Sequence, residues 1–539
     1  MPLRFDKLPL LVLYLVFDYI RASAKTLCSL ALVNQACNNF VAPFLYGNLE
    51  INISSPPKLL EDLAKIEESP RRKGLTKYVR HLRILGCMHL STSGYNSQWI
   101  PVYDDNHRKR HDAVNEYLGK DSSDGSEEDI SKAWTPLAEM IQKCQHLREL
   151  IWVCPNQLPP CILKAVQQCH PACHLDMRFF LLRSLRDAAT TPHELDLVQS
   201  RCLHSITMTT VRSELHQKPG DNEKAIFEVI TLAPNIKHLN VIYVPYRRLR
   251  DRTPSSWKGF VPPPNHSYKG ALVSLSYFGR SGVSVEDIAK WSNCTDMSKI
   301  RYLRLGGVSD PQVFEHLTQS VKSMSLDLLG LAVYLNHNAN EQLLYALECL
   351  LEQLIPLKEF SLRGCFPVSI LDKLFHRHGP TLRKLDLYPL LRSTGPWNEI
   401  TTVDSEVFRT IQNQCPILES LTIYTPNSAA EVLDDRSLQR VCPSLPYLYE
   451  LELCVAYPYF SMPEGTPRKI WDLIERHKRG CRLNRLIISD LTTTVILSTR
   501  EGEMNGEVES LSLGKDIWEE LKEAKALHGD SAVEYYYQV

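Results

Sequence analysis

One cluster in this sequence has the residue types of a metal site. Cys161, Cys169, His170, Cys173 and His174 fall within one short stretch. Thiolates and imidazoles are the usual ligands of structural zinc, which normally binds cysteine pairs two to four residues apart. The spacing of Cys169 and Cys173 fits loosely, but no second cysteine pair follows at the expected distance. Between a zinc site and buried thiols in a core, we predict the thiols, with no metal and no cofactor.

The common motifs of catalysis are missing from the chain. The sequence has no Gly-x-Ser-x-Gly, no Gly-Lys-Ser/Thr phosphate loop, no Gly-x-Gly-x-x-Gly and no His-Glu-x-x-His. His193 and Glu194 lack the second histidine that a helical zinc site needs. We therefore predict a protein that is not an enzyme, has no catalytic residue and works by binding.

The charge balance excludes two classes of partner. Lys and Arg total 61 against 62 Asp and Glu, so no global field attracts nucleic acid or an anionic membrane. The basic clusters at 71–73, 108–110 and 247–252 are short and offset by nearby acids. The longest apolar run, at 8–17, is far shorter than the roughly 20 residues of a membrane span. We predict neither a nucleic-acid nor a membrane partner.

A repeated apolar pattern organises most of the chain. The pattern apolar-x-x-apolar-x-apolar occurs again and again, as in 357–362 and 448–453, and from Leu147 onward its starts lie 25 to 36 residues apart. Alternation at the fourth and sixth positions predicts a short strand with one buried face. The starts are Val79, Leu147, Ala172, Leu203, Ile236, Leu272, Ile300, Leu326, Leu357, Leu382, Leu418, Leu448 and Leu483.

Helix-like stretches such as 340–354 and 405–413 separate these strands. A single strand and helix cannot bury their apolar sides alone, so the units must stack. The array resembles leucine-rich repeat proteins over about 400 residues. That resemblance implies an α/β solenoid shaped as a horseshoe, with a parallel concave sheet and helices on the convex side. The alternative, a conventional α/β domain, is disfavoured because its central strands would be continuous Val/Ile runs.

Positions three, five and seven of each pattern point away from the core and form the predicted concave, substrate-binding surface. Aromatic residues and arginine are the types enriched at binding hot spots. The candidate residues are His174, Asp176, Arg178, His238, Asn240, Phe278, Tyr302, Arg304, Arg363, Lys384, Asp386, Tyr388 and Tyr424.

The N-terminal segment begins with a helix that needs covering on two sides. From Leu8 to Ile20 the chain is apolar on every helical face except near Asp18. Two further helical segments, at 25–32 and 34–45, can cover one side. A helix that is apolar all round must be buried, so the other side requires a partner.

This segment resembles an F-box over about 40 residues. The resemblance implies a small all-α motif that docks on the Skp adaptor and, through it, on a cullin scaffold. Leu11 and Cys37 depart from the acidic residue and the tryptophan usual in that family. The matching residues are Leu8-Pro9, Val12, Phe17, Ile20, Leu27, Leu30, Leu32-Val33-Asn34 and Pro43-Phe44-Leu45-Tyr46. Those carried over as adaptor-facing or core positions are Leu8, Pro9, Val12, Leu27, Leu30 and Val33.

An F-box followed by leucine-rich repeats implies a substrate receptor of an SCF-type cullin ubiquitin ligase, located in the cytoplasm or the nucleus. Three alternatives stay open. The repeats could form an interaction scaffold without a ligase role, and residues 1–46 could simply cap the solenoid. A secreted receptor is the third, because Arg4, Lys7 and the 22–24 Ala-Ser-Ala triplet imitate a signal peptide.

The sixteen cysteines show no compact disulfide spacing. Several precede apolar strand patterns, which favours small core residues in a reducing compartment; examples are Cys144, Cys202, Cys415 and Cys481.

The predicted domain organisation has five parts. The aromatic and basic stretch at 245–267 is predicted to be a loop that either packs over the repeats or binds a partner. A helix is predicted at 515–527 in the C-terminal part. The parts are an F-box at 1–50, a linker and first repeat at 51–94, an acidic disordered-like insertion at 95–133, leucine-rich repeats at 134–490 and a C-terminal cap at 491–539.

Overall fold

Strands and helices alternate along the chain, as the repeated pattern predicts. They form two compact units, one of residues 1–281 with 289–299 and the other of residues 282–288 with 300–539. We call them the N-terminal and the C-terminal unit. The computed structural model describes residues 24–68, 74–86, 88, 127–154, 156–180, 182, 192–212, 221–245, 259–260, 269–278, 282–324, 326, 328–335, 339–364, 366–389, 405–425, 445–455, 466–489, 494–500 and 503–505.

The described chain begins with a pair of helices, α1 (Ala24–Ala31) and α2 (Gln35–Leu45). They confirm the two helical segments predicted there. Asn34 caps α2, since its side chain accepts a hydrogen bond of 2.8 Å from the backbone N–H of Cys37. Leu27 and Val41 form the buried centre of the pair, with Leu30 packed beside them. The predicted helix at Leu8 to Ile20 lies outside the described residues.

The N-terminal unit contains a parallel sheet in which each described strand pairs with the next one in the chain. Its strands are β1 (Asn48–Ile53), β2 (His81–Gly86), β3 (Glu149–Val153), β4 (His174–Phe180), β5 (Leu203–Arg212), β6 (His238–Pro245) and β7 (Ser274–Phe278). Its helices are α3 (Pro56–Glu68), α4 (Glu127–Lys143), α5 (Pro160–Cys169), α6 (Pro192–Val198), α7 (Asp221–Leu232) and the second half of α8 (Val285–Cys294).

The C-terminal unit repeats this arrangement and ends with two antiparallel strands. Its parallel strands are β8 (Tyr302–Val308), β9 (Gly330–Leu335), β10 (Glu359–Gly364), β11 (Lys384–Pro389), β12 (Ser420–Thr425), β13 (Glu450–Val455) and β14 (Arg485–Ser489). The antiparallel ones are β15 (Thr494–Arg500) and β16 (Glu503–Asn505). Its further helices are α9 (Pro311–Met324), α10 (Glu341–Gln353), α11 (Val368–His378), α12 (Ser405–Gln414) and α13 (Thr466–His477).

Backbone hydrogen bonds connect successive repeats at the start of each strand. The N–H groups of Arg148 and Glu149 both donate to the carbonyl of Arg80, at 2.7 and 3.0 Å. In the C-terminal unit, Lys358 and Glu359 donate to Leu329 in the same way, at 2.8 and 3.1 Å. A carbonyl that accepts from two successive N–H groups recurs because the chain enters the strand at the same point of each repeat. The contact sets the register of neighbouring strands.

The core lies between the strands and the helices. The leucines at positions one, four and six of the pattern are buried, as Leu382, Leu385 and Leu387 illustrate. Buried side chains of α10 such as Leu343 and Leu347 supply the helical side of this core. Each buried leucine contributes about 1.5–3 kcal/mol to stability, so the repeated pattern dictates the stacked arrangement.

One repeat is offset from its predicted position. The pattern predicts a start at Leu326, but its first, fourth and sixth positions fall at Leu328, just before β9, and at Leu331 and Val333 within it. Both alignments of the apolar pattern fit the sequence. Only the pairing of Gly330 with Tyr302 and Glu359 on the flanking strands selects one alignment. Because the offset is two residues, the side chains keep their assigned faces.

Several further elements can be compared with their predictions. The helices predicted at 340–354 and 405–413 are confirmed by α10 and α12. β1 precedes the first predicted start, and α4 begins at Glu127, inside the stretch predicted as a disordered-like insertion. In the predicted loop at 245–267, Phe260 is buried and its N–H donates to Glu228 at 2.8 Å. The helix predicted at 515–527 lies outside the described residues.

The cap of α10 supports a stability prediction. Asn340 accepts a hydrogen bond of 2.8 Å from the N–H of Leu343. Replacing Asn340 by alanine should lower the free energy of unfolding by about 1 kcal/mol, because one buried helix N–H loses its acceptor. Urea denaturation followed by circular dichroism measures the change. Asn340→Asp retains the acceptor and should stay near the wild-type value; equal losses in both variants would contradict the capping role.

Candidate functional site

The candidate site is the side of each sheet that faces away from the core. In the N-terminal unit the helices cover one side, since Trp134 of α4 contacts Trp152 of β3 with ring centroids 5.1 Å apart. Tyr277 of β7 contacts Trp291 of α8 in the same manner, at 6.1 Å. The alternating side chains on the opposite side are mostly polar and partly exposed. We call that side of each sheet the polar face.

In the C-terminal unit, pairing aligns the predicted residues in three rows across the strands. The first row contains Tyr302, Gly330, Glu359 and Lys384. The second contains Arg304, Ala332, Ser361 and Asp386. The third contains Tyr334, Arg363 and Tyr388. The structure thus brings together Tyr302, Arg304, Arg363, Lys384, Asp386 and Tyr388, all predicted from sequence; Tyr334, Glu359 and Ser361 are additional.

Two aromatic side chains shape this part of the polar face. The guanidinium carbon of Arg363 lies 4.9 Å from the ring centroid of Tyr334, a cation–π contact. The ring of Tyr302 lies across Gly330, where an added Cβ would come within 2.7 Å of it. A side chain at position 330 would therefore clash with the Tyr302 ring in its present place. The sequence pattern contains no signal for this contact.

Asp386 has a largely buried carboxyl group beside a cation, with 14% of its side chain exposed. Its Oδ2 lies 3.8 Å from the ammonium nitrogen of Lys384. Burial raises the pKa of Asp386, although Lys384, the nearby Thr422 hydroxyl and the charge of Arg304 act in the opposite direction. Among the described residues its Oδ1 has no hydrogen-bond partner. A carboxyl group in such a position adds less negative charge to the surface than an exposed aspartate does.

Acidic side chains concentrate on the later strands. Glu450 pairs with Arg485 at 2.8 Å, and the Ser420 hydroxyl donates to Glu450 at 3.4 Å. Thr422 donates to Glu452 at 3.5 Å. The polar face of this unit consequently carries arginine and tyrosine side chains, together with Glu359, on β8 to β10, and glutamates on β13.

In the N-terminal unit the polar face carries a row of histidines. The rings of His174 and His204 stack with centroids 4.1 Å apart, and those of His204 and His238 lie 5.2 Å apart. Burial and the neighbouring imidazoles lower the pKa of His204 to about 4, and burial also lowers that of His238. Both imidazoles are therefore neutral at pH 7. On the other side of the row, His81 contacts Glu149 at 2.9 Å.

The sequence pattern does not predict His204 on the polar face, because strict alternation along β5 does not assign it to that face. The pairing of β4 with β5 shifts register between Leu175 and Asp176, which is the mark of a bulge. The bulge lets both His204 and Ser205 avoid the core, while Leu203 and Ile206 are buried. The only available signal was the presence of histidine in three successive patterns.

A second polar row lies beside the histidines. Asp176 is 7% exposed and accepts a 2.7 Å bond from Nε of Arg178. Asp176 Oδ1, Asn240 Oδ1 and Ser276 Oγ are buried without a hydrogen-bond partner among the described residues. The predicted residues His174, Asp176, Arg178, His238 and Asn240 thus share one face. Phe278 and Tyr424 lie in β7 and β12, but their side chains are outside the described part.

The predicted adaptor-binding residues are placed only in part. Leu8, Pro9 and Val12 lie outside the described residues. Leu27 is a core residue of the helical pair and Leu30 is partly buried beside it, so contact with a partner would fall to other positions. Val33 is 65% exposed, and its neighbour Leu32 is 87% exposed. The turn between α1 and α2 therefore presents two adjacent apolar side chains.

The cysteine and histidine cluster is separated by the fold. Cys173 is buried, and burial raises its pKa to about 12; His170 contacts the carbonyl of Ile141 at 2.8 Å. Within the described ranges, no group of three or more Cys, His, Asp or Glu side chains is arranged to hold a metal ion. Cys144, Cys202 and Cys415 are buried as predicted, whereas Cys481 is exposed, because it follows α13 at an outer turn.

Comparison with known proteins yields little. No family model matches the chain. A segment is similar to metal cation symporter ZIP14 of Danio rerio, with 26% identity over 118 residues, covering 20% of this chain and 23% of that protein. The chain thus spans less than a quarter of the length of that relative. Across the helices that the structure describes, none is long and apolar enough to cross a membrane.

Proposed function

We propose that this chain is the substrate receptor of an SCF-type cullin ubiquitin ligase. In this proposal the N-terminal helices form an F-box that docks on the Skp adaptor. The strands and helices that follow form a leucine-rich repeat horseshoe whose polar face binds a protein substrate. One observation carries the proposal: a small helical pair with an exposed apolar turn at Leu32 and Val33 precedes two units of successive parallel strands.

The polar face suits binding because its side chains are held on a rigid support. Tyrosine and arginine side chains such as Tyr334 and Arg363 project from β9 and β10, which are hydrogen-bonded to neighbouring strands on both sides. Side chains ordered before binding lose less entropy when a partner arrives. The receptor would contribute proximity, holding a substrate lysine near the charged conjugating enzyme and raising the effective concentration of the reactants.

Adaptor capture tests the proposal. Replacing Leu8 and Pro9 by alanine, or Leu32 and Val33 by serine, should reduce recovery of purified Skp adaptor by about tenfold or more, because apolar contact area is lost. Quantitative pull-down with the full chain measures the effect. Leu32 and Val33 are exposed, so their replacement should leave the circular dichroism spectrum unchanged.

Leu60 on α3 provides a matched control, since it is an exposed leucine of the same unit at 53% exposure. Leu60→Ser should recover adaptor at the wild-type level. Wild-type recovery by both double variants, or no capture by the unmodified chain, would reject the ligase role. A scaffold without a ligase role predicts that deleting residues 1–46 leaves both partner binding and partner abundance unaltered.

A further inference from the structure

We propose that the turn between α13 and β14 binds an acidic segment of a partner protein, with carboxylates held by Arg479 and Arg482 and an apolar side chain resting on Tyr447. We call residues 476–482 the basic turn. It lies outside the polar face, so this inference goes beyond the proposed function and holds with or without a ligase role. Unpaired cations, a fixed backbone and an exposed tyrosine support it.

The basic turn concentrates positive charge at the surface. Residues 466–489 contain seven Lys and Arg but only two acidic residues. Four of these cations fall in the basic turn, and all but Lys478 are exposed. The end of a helix carries the equivalent of about half a negative charge, which a single cation offsets. The basic turn therefore has more positive charge than the end of α13 requires.

Two of the four cations have partners within the chain, and two do not. Lys478 donates to the carbonyl of Leu445 at 3.3 Å, and Nε of Arg476 donates to a carbonyl of its own helix at 3.0 Å. Arg479 and Arg482 are exposed, and in the part of the chain that the structure describes they have no hydrogen-bond or ion-pair partner. Their guanidinium groups are available to a ligand.

The two acidic side chains of this stretch are engaged elsewhere. Asp472 Oδ1 lies 3.4 Å from Nε of Arg468 on the same helix. Glu475 Oε1 accepts the backbone N–H of Leu483 at 3.4 Å. Both carboxylates keep their charge, but the seven cations of the stretch outnumber them. The field at the basic turn is consequently positive and attracts an anionic group.

The backbone of the basic turn is fixed against the preceding repeat. The N–H of Cys481 donates to the carbonyl of Pro446 at 2.8 Å. Gly480 has a φ of 93°, and a Cβ at that position would collide with the same carbonyl. Both contacts hold the chain on either side of the two unpaired arginines. A support that is ordered before binding lowers the entropy lost when a partner arrives.

An exposed tyrosine lies beside the cations. The pairing of Glu450 with Arg485, continued three residues back along both chains, places Tyr447 opposite Arg482. Tyr447 is 57% exposed. Tyrosine and arginine are the residue types most often found at binding hot spots. The basic turn thus offers an aromatic surface next to two free guanidinium groups.

This combination favours a short acidic peptide over a long polyanion. A guanidinium group binds a carboxylate through two parallel hydrogen bonds. The whole chain has 61 Lys and Arg against 62 Asp and Glu, so the residues outside this basic stretch have an excess of acids. That excess repels an extended nucleic acid or an anionic membrane. A short acidic segment meets only the basic turn.

Fluorescence anisotropy with the purified full chain tests the proposal. The probe is a fluorescein-labelled dodecapeptide of aspartate, glutamate and glycine with two leucines. It should bind about tenfold more tightly than the same peptide with asparagine and glutamine in place of the acids, because charge-assisted bonds are lost. Its affinity should fall as NaCl rises from about 0.05 M to about 0.3 M, since exposed charges are screened. Equal affinity for the two peptides would sink the proposal.

Variants of the two arginines locate the binding. Arg479→Gln with Arg482→Gln should weaken the acidic peptide by about tenfold. Lys164→Gln with Lys322→Gln removes the same charge from exposed positions on α5 and α9, and its affinity should stay within about twofold of wild type. All four side chains are exposed, so the circular dichroism spectra should match. Equal losses in the two double variants would reduce the binding to net charge and refute a site at the basic turn.

Tyr447→Ser separates a built site from simple attraction between charges. It should weaken the leucine-containing peptide by about fivefold, because apolar contact with the ring is lost. A peptide with glycine in place of both leucines should bind Tyr447→Ser and wild type alike. Unchanged affinity of the leucine-containing peptide would contradict the role of Tyr447 and, with it, the proposed site.

Two other anionic probes are measured on the same chain. A single-stranded uridine dodecamer, and vesicles of phosphatidylcholine with phosphatidylserine, should each bind more weakly than the acidic peptide. Tighter binding of either probe, lost in the variant with both Arg479→Gln and Arg482→Gln, would assign the basic turn to RNA or to a membrane and overturn the proposal.

Discussion

Replacing His378 by alanine should lower the free energy of unfolding by about 4 kcal/mol, because two buried hydrogen bonds and a packed side chain are lost together. His378 is fully buried at the end of α11. Its Nδ1 accepts the N–H of Leu357 at 3.1 Å, and its Nε2 lies 3.0 Å from the carbonyl of Leu351. The imidazole therefore connects α10, α11 and the turn before β10. Without it, a buried N–H and a buried C=O lose their partners.

The same residue should make stability depend on pH. Burial lowers the pKa of His378 from 6.5 to about 4, with a smaller contribution from Arg377. Unfolding exposes the imidazole to water, so it takes up a proton between these two values. Above pH 6.5 the imidazole is neutral in both the folded and the unfolded state, so the contribution of His378 to the free energy of unfolding is fully present. That contribution declines by up to about 3 kcal/mol as the pH falls toward 4. His204, with a similarly lowered pKa, acts in the same direction in the N-terminal unit.

Urea denaturation at several pH values between 7 and 5 checks both effects. His378→Ala should unfold at lower urea concentration at pH 7, and its midpoint should fall less steeply as the pH decreases. His477→Ala is the matched control, because His477 is an exposed histidine near the end of α13. An unchanged slope in His378→Ala would show that other groups carry the pH dependence, and a loss below about 1 kcal/mol would contradict the structural role.

Replacing Trp152 by alanine should cost about 3–5 kcal/mol of unfolding free energy, the range found for large aromatic residues in a core. Trp152 is fully buried and contacts the ring of Trp134, which ties β3 to α4. Its indole N–H donates to the carbonyl of Asn156 at 2.9 Å. The side chain of Asn156 in turn bonds to both backbone groups of Met88, at 2.8 and 3.2 Å. Losing the indole therefore disturbs two neighbouring repeats.

The neighbouring residue supplies the control for this prediction. Ile151 lies on the polar face of the same strand and is only partly buried. Ile151→Ala should cost about 1 kcal/mol or less, since the methylenes it removes are already partly in water. Both variants are compared with wild type by urea denaturation. Similar losses at the two positions would mean that β3 does not separate a core side from a polar side.

The alternation of buried and polar side chains could be predicted from the sequence because it is a local property. In 382–387 and 448–453 the spacing of leucines alone identifies a strand and the side that it buries. The same holds for α10, whose apolar residues recur at three and four. Even where the start of β9 was misplaced by two residues, Ala332 and Tyr334 kept the same side, since strand faces repeat every second residue.

The sequence could not predict which side chains lie next to one another on adjacent strands. These contacts depend on pairing between strands that are separated by turns and helices of unequal length. Arg304, Ala332 and Ser361 lie in one row only because the registers of β8, β9 and β10 align them. His204 joins His174 and His238 through a bulge that no spacing signals. The sequence by itself thus determined the repeats, the strands and most of the residues on the polar face. The tertiary structure alone decided which of them meet and which are buried, since both follow from the packing of one repeat against the next.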